Sequence, residues 1–146
     1  MSKSAGAVRR FGIGGMGLPW ENDMKIAGWV LSVLVALFLA GASALPKFLV
    51  MDIAIEPMEV VGWPVKYLLL IGVIEVGCMV LFLIPQTALL GAVLTTGLLG
   101  GSLAANLRVD NPLFSHTLFS IYVGIAVWVA LWLREERVRR VFPLVR

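Results

Sequence analysis

Residues 67–85 read YLLLIGVIEVGCMVLFLIP. Proline stands at 64 and again at 85, and at 1.5 Å of rise per residue the segment between them is about 30 Å long, the thickness of a bilayer's hydrocarbon core. Pro64 suits a first helical turn, where its missing N–H would be unpaired anyway, and Pro85 ends the helix. The stretch therefore reads as a transmembrane helix. Its middle carries one carboxylate, Glu75. An acid at the centre of a span costs about 2.5–3.5 kcal/mol on the insertion scale, and each Leu, Ile, Val or Phe returns about 0.3–0.6. Insertion is tolerated on that balance, but the acid's presence is not explained by it.

The rest of the chain fits the same solvent. Of 146 residues, 60% are hydrophobic and 14% charged, with a mean hydropathy of +0.94. A soluble core of that size would need a charged shell that these residues cannot build. A single cysteine, Cys78, excludes an intrachain disulfide, and with one histidine, His116, there is no cluster to hold a metal ion. The net charge of +3 does not argue for nucleic acid, because the basic residues are not spread over a surface. Lys3, Arg9, Arg10 and Lys25 precede the first apolar run, and Arg134, Arg137, Arg139, Arg140 and Arg146 follow the last.

Three further spans are expected, from Ile26 to Leu45 ahead of Pro46, from Thr87 to Val109, and to Leu133 behind Asn111 as helix cap and Pro112 in the first turn. Nine Lys and Arg lie at the termini against three (Lys47, Lys66, Arg108) in the two longer connections. By the positive-inside rule both termini are cytoplasmic. The expected fold is an all-α integral membrane four-helix bundle over residues 25–140, with a basic cytoplasmic tail at 1–24 and a short one at 141–146. The first connection, MDIAIEPMEVVGWP at 51–64, reads either as an interfacial cap or as a plain loop anchored by Trp63. Gly97 and Gly101, four apart with Ala104 and Arg108 on the same face, are expected to pack against another helix.

A carboxylate in a membrane should face the bundle, towards hydrogen bonds or a cation. Thr95, Leu99, Ser102 and Asn106 share one face of the third span, Ser32, Ala36, Ser43 and Lys47 one of the first, and His116 and Ser120 one of the fourth. These faces would line a chamber with Glu75 as its floor and Lys47, Asn106, Arg108 and His116 towards its mouth. Lys47, Ser102, Asn106, Arg108 and Ser120 are the candidate ligand-binding residues, and Glu75 and His116 the candidate acid–base pair. The alternative is a structural network in which Glu75 pairs with Lys47 and no ligand enters.

The run TGLLGGSLAANLRVDNPLFSHTLFSIYVG, preceded by IEVGCMVLFLIPQTALLGAVL and ALPKF, resembles the DoxX-like family of small bacterial membrane proteins over Lys25 to Leu144. The resemblance implies four membrane helices in the inner (cytoplasmic) membrane of a bacterium, motif positions at Lys47, Glu75, Gly100, Gly101, Arg108 and His116, and association with quinone-linked redox complexes. The chain departs from that pattern at Leu98 and Asn106, where relatives carry tyrosine and histidine. The expected function is the binding of a small lipophilic ligand, such as a quinone, or of a redox-complex partner. The competing classes are a membrane isomerase or hydrolase using Glu75, a small transporter, and an assembly subunit. Expected partners are the bilayer, the lipophile and a second copy of the chain, with no nucleic acid. No cofactor is implied by the residues themselves.

Overall fold

The computed structural model describes residues 19–141. The expected tails at 1–18 and 142–146 lie outside the described residues. Helix α1 (Pro19–Phe38) begins seven residues ahead of the expected span and continues through a π-helical segment, Leu39–Ala44, into α2 (Leu45–Phe48). Proline at 46 has no N–H for the carbonyl of Ala42, and its ring crowds that turn. The helix answers by widening, with Leu45 N–H bonded five residues back to Ala40 O. The span therefore runs unbroken through the proline, from Trp20 to Phe48.

The second span comprises a 3₁₀ turn at Val65–Tyr67 and α4 (Leu68–Leu83). The third is α5 (Ala88–Arg108), and the fourth joins a π-helical segment, Leu113–Thr117, to α6 (Phe119–Arg134). All four are long and apolar enough to cross a membrane. Between α2 and α4 lies α3 (Asp52–Val60). It buries Met58, with Val61 behind it, and exposes Asp52, Glu56 and Glu59, so the first connection is a helical cap and not a plain loop. After α6 the short α7 (Glu136–Val141) turns back and buries Val138 in the core.

Three helix ends close in the same way. After α3, Gly62 N–H bonds Glu59 O and Trp63 N–H bonds Met58 O, with Gly62 at φ 72°. Asp110 (φ 52°) does the same for α5, and Val50 (φ 52°) for α2, where Met51 N–H reaches Pro46 O. This is the Schellman closure, whose left-handed residue is best a glycine. Asn111 is not the side-chain cap that its position suggests. Its amide donates to Asn106 Oδ1 at 2.7 Å and so ties the turn to the end of α5.

Around the bundle α1 packs on α6, α6 on α5, and α5 on α4, while α4 closes on the π segment and α2. The core is Val35, Leu39, Met79, Phe82, Ala92, Val127, Ala130 and Leu131, among others. Val33, Leu37, Leu69, Val73, Leu90 and Ile125 lie exposed on the outer faces, as lipid permits and water would not. Lipid gives helices no hydrophobic reason to associate, so packing relies on close approach. Two glycines supply it. A Cβ on Gly28 would stand 2.6 Å from Arg134 N, and one on Gly91 2.5 Å from Phe82 Cα. Gly97 and Gly101, expected at such a contact, are exposed, and a Cβ on either meets nothing within 4 Å. Ala104 and Arg108 on the same face are also exposed.

Candidate functional site

Glu75 faces inward from the middle of α4 and is 4% exposed. Lys47 Nζ, from the far end of the first span, donates to Glu75 Oε2 at 2.8 Å, to Ser43 Oγ at 2.6 Å and to Ser43 O at 3.0 Å. All three ammonium protons are thereby used. The π-helical widening immediately before Lys47 sets the register that brings Ser43 and Lys47 together on α4. Gly72, one turn from Glu75, leaves room for the lysine stem, since a Cβ there would lie 3.4 Å from Lys47 Cβ. Cys78, buried one turn further on, completes the wall. The pairing of Glu75 with Lys47, held open as an alternative in the sequence, is the arrangement found.

The remaining candidates do not join this cluster. Asn106 donates to Ser102 O at 2.9 Å and accepts from Asn111, all within the connection end of α5. Ser102 is exposed. Arg108 donates through Nη2 to Val61 O and so pins the closing turn of α3 to α5. His116 is exposed, with Nδ1 2.8 Å from the neighbouring Ser115 Oγ. The polar stripe of the third span thus divides: Thr95 faces the core and Ser102 faces out. Ser32 and Thr95 need no partner from another helix, because each hydroxyl bonds a carbonyl four residues back, Gly28 O at 2.7 Å and Gly91 O at 2.8 Å.

Ser120 belongs to a different feature. It is 4% exposed and lines a lateral groove of about 680 Å³ between α5 and α6. Leu99, Leu103, Ile121, Ile125 and Val129 form the walls, and Gly100 and Gly124 supply bare backbone. Trp128 and Trp132 line one end, and Trp128 Nε1 donates to Thr96 Oγ1 at 2.9 Å. The α5–α6 seam lies across the bundle from the seam between the first span and α4 that holds Glu75. No sequence pattern announced the groove, because it arises where glycines omit side chains on two helices distant in sequence.

A second residue missed from sequence is Arg134, which reads there as one of several terminal basic residues. It is 4% exposed, donates through Nη2 to Phe82 O in the last turn of α4, and lies between two rings, 4.6 Å from the Trp29 centroid and 4.5 Å from that of Phe82. Its Nε and Nη1 are buried without a partner. The guanidinium caps the Phe82 carbonyl at the negative end of the α4 dipole and ties α1, α4 and α6 together at one point. Among the described residues no three His, Cys, Asp or Glu side chains gather as a metal site requires.

In a comparison with known protein families the DoxX-like family matches residues 30–130. This interval holds Lys47, Glu75, the α5–α6 groove up to Val129, and the Arg108 tie. No curated protein and no solved structure gives a match. The chain belongs to the DoxX-like family and is a membrane protein of four apolar helices.

Proposed function

We propose that this DoxX-like protein holds a small lipophilic molecule, which enters sideways from the bilayer and lies in the groove between α5 and α6. One observation carries the reading: the groove's volume of about 680 Å³, with an apolar lining and two indole rings. Small-molecule sites are typically about 300–1,000 Å³, mostly apolar, with few polar groups. A quinone or a related lipophilic partner of a redox complex fits such a lining, with flat rings beside Trp128 and Trp132 and a tail along the branched walls. The charge distribution supports both termini on the cytoplasmic side, and the resemblance to small bacterial membrane proteins supports a bacterial cytoplasmic membrane.

In this reading Glu75 is not the floor of the ligand site, and the Lys47–Glu75 pair fixes the opposite seam of the bundle. An acid–base role for Glu75 with His116 requires the two to meet, whereas Glu75 is committed to Lys47 and His116 is exposed beside Ser115. Lipid extracts of purified protein, examined by mass spectrometry, test the proposal. A lipophile should be retained by wild type and by Glu75→Gln, and lost from Gly124→Leu, whose side chain would occupy the groove. Equal retention by Gly124→Leu, or no retained lipophile in any form, would refute it.

A further inference from the structure

Arg134 is the last residue of the fourth span, and most of its hydrogen-bonding capacity is unused. Nη2 donates to Phe82 O, while Nε and Nη1 are buried with no acceptor. A buried cation is normally held against an anion, because its charge has lost its water. Carboxylates are not scarce at this end of the bundle: Glu21 and Asp23 lie at the start of α1, and Glu135 and Glu136 follow α6. None of them pairs with Arg134. Among the described residues the ion pairs are Lys47–Glu75 and Arg140–Glu136. Two neighbouring arginines are satisfied within the chain, Arg139 by Leu133 O at 2.6 Å and Arg140 by Glu136 Oε1 at 2.6 Å. The acceptor that Arg134 lacks is one that the described residues do not supply.

The approach to Arg134 from outside passes Trp29. Of the three stacked groups Phe82 is 0% exposed, Arg134 4% and Trp29 38%, so the indole is the outer member of the stack. Lys25, Ile26, Trp29 and Val33 share one face of α1, and all four are exposed. From the start of the helix inward that face presents a cation, an indole and then branched apolar side chains. A phospholipid presents its charge, its glycerol and its acyl chains in the same order.

We infer that this rim binds an anionic phospholipid of the leaflet at which α1 begins. The phosphate oxygens accept from Arg134 Nε and Nη1 as the Trp29 ring turns aside, Lys25 adds a second cation one turn along α1, and an acyl chain lies along Ile26 and Val33. The site is separate from the α5–α6 groove and does not depend on what the groove holds. A guanidinium offers its donors as a planar fork that matches phosphate geometry. A headgroup of net negative charge is required, because a zwitterionic one brings its own ammonium to the phosphate. A free anion offers the same oxygens but leaves the apolar part of the face unused, so the lipid is the better fit.

The test uses the full chain with isotopically labelled arginine and three probes: phosphatidylglycerol, phosphatidylcholine of the same acyl chains, and inorganic phosphate. Native mass spectrometry reads lipid affinity, and nitrogen NMR reads the Arg134 Nε–H signal, assigned by its loss in Arg134→Met. Wild type should bind phosphatidylglycerol about tenfold more tightly than phosphatidylcholine, the scale of one charge-assisted hydrogen bond, and the Nε–H signal should move as it binds. The preference should vanish in Arg134→Met and fall severalfold in Lys25→Gln, whose exposed side chain lies outside the stack, so the test stays decisive if the first variant does not fold. Equal affinity for the two lipids in wild type, or a preference unchanged in either variant, overturns the inference. A Nε–H signal that stays put while phosphatidylglycerol binds places the lipid elsewhere and overturns it too. The same movement with inorganic phosphate at equal concentration assigns the site to a free anion and overturns the lipid.

Discussion

Lys47 and Glu75 form an ion pair of 2.8 Å between the first and second spans, with side chains 17% and 6% exposed. Two charges within the hydrocarbon zone are tolerated only because each neutralises the other and Ser43 takes the remaining ammonium protons.

Removing one partner strands the other. Lys47→Met should destabilise the protein by about 3–5 kcal/mol, since Glu75 is left charged and buried. Lys47→Met combined with Glu75→Leu should recover most of that loss, because replacing both charges by apolar groups of similar volume is near neutral. Detergent unfolding curves of the two single variants and the double variant measure the coupling. A double variant as unstable as the sum of the singles would show that the pair does not act as a unit.

Gly91 and Gly97 lie on one helix and should respond oppositely to alanine. At Gly91 the added Cβ would stand 2.5 Å from Phe82 Cα, a backbone atom that cannot swing away. The α4–α5 contact must then open, at about 1–3 kcal/mol or more. At Gly97 the Cβ enters open space, and alanine's better helix propensity should add about 0.5–1 kcal/mol. The sign of the difference in unfolding midpoint is the measurement.

That contrast also shows what the sequence reveals and what it hides. The spans are legible because Pro64, Pro85 and Pro112 bound long uncharged runs, and the Glu75 partner is legible because few cations lie within reach of a mid-span acid. In lipid, however, both the inner and outer faces of a helix are apolar, so periodicity does not separate a packed glycine such as Gly91 from an exposed one such as Gly97. Trp20 and Glu21 begin the first helix before its apolar run starts, which is why that end appeared as tail. The polar chamber failed for a related reason: hydroxyls such as Ser32 and Thr95 insert by bonding their own helix. A polar stripe in a span thus need not face another polar group. The α5–α6 groove and the Arg134 junction depend on contacts between helices, to which local pattern is blind.

Arg134 offers a check on that junction. Arg134→Lys keeps the charge but loses the planar stacking between Trp29 and Phe82 and the fork that reaches Phe82 O. Arg134→Met loses the charge and with it the burial of two unpartnered nitrogens. The lysine variant should therefore be the less stable of the two, by about 1–2 kcal/mol. Thermal unfolding in detergent checks the order, and a more stable lysine form would mean that charge alone matters there.

Val50 carries the left-handed closure of α2 at φ 52°, a conformation in which a β-branched side chain is strained. Val50 is exposed, so its replacement sacrifices little packing. Val50→Gly should stabilise the protein by about 1 kcal/mol, the relief of backbone strain less the greater freedom of glycine when unfolded. An unfolding midpoint that falls would place the closure's strain elsewhere.

The last prediction concerns α7, outside the spans. A hydrogen bond from Arg140 to Glu136, 2.6 Å long, and the charge of Arg140 hold the Glu136 carboxyl below its ordinary value of 4.5. A depressed carboxylate contributes stability in full above its unfolded value; the contribution then disappears as pH falls through the lower, folded value. Amide exchange across Glu136–Val141 should therefore be slowest relative to Glu136→Gln at neutral pH, and the two proteins should converge as the solution is taken well below 4.5. Both side chains are solvent-exposed, so the neutral-pH difference should be small and should shrink further with added salt. A difference that persists in acid, or that is insensitive to salt, would show that α7 is held by Val138 in the core and by the Arg139 bond to Leu133 O, with no help from the ion pair.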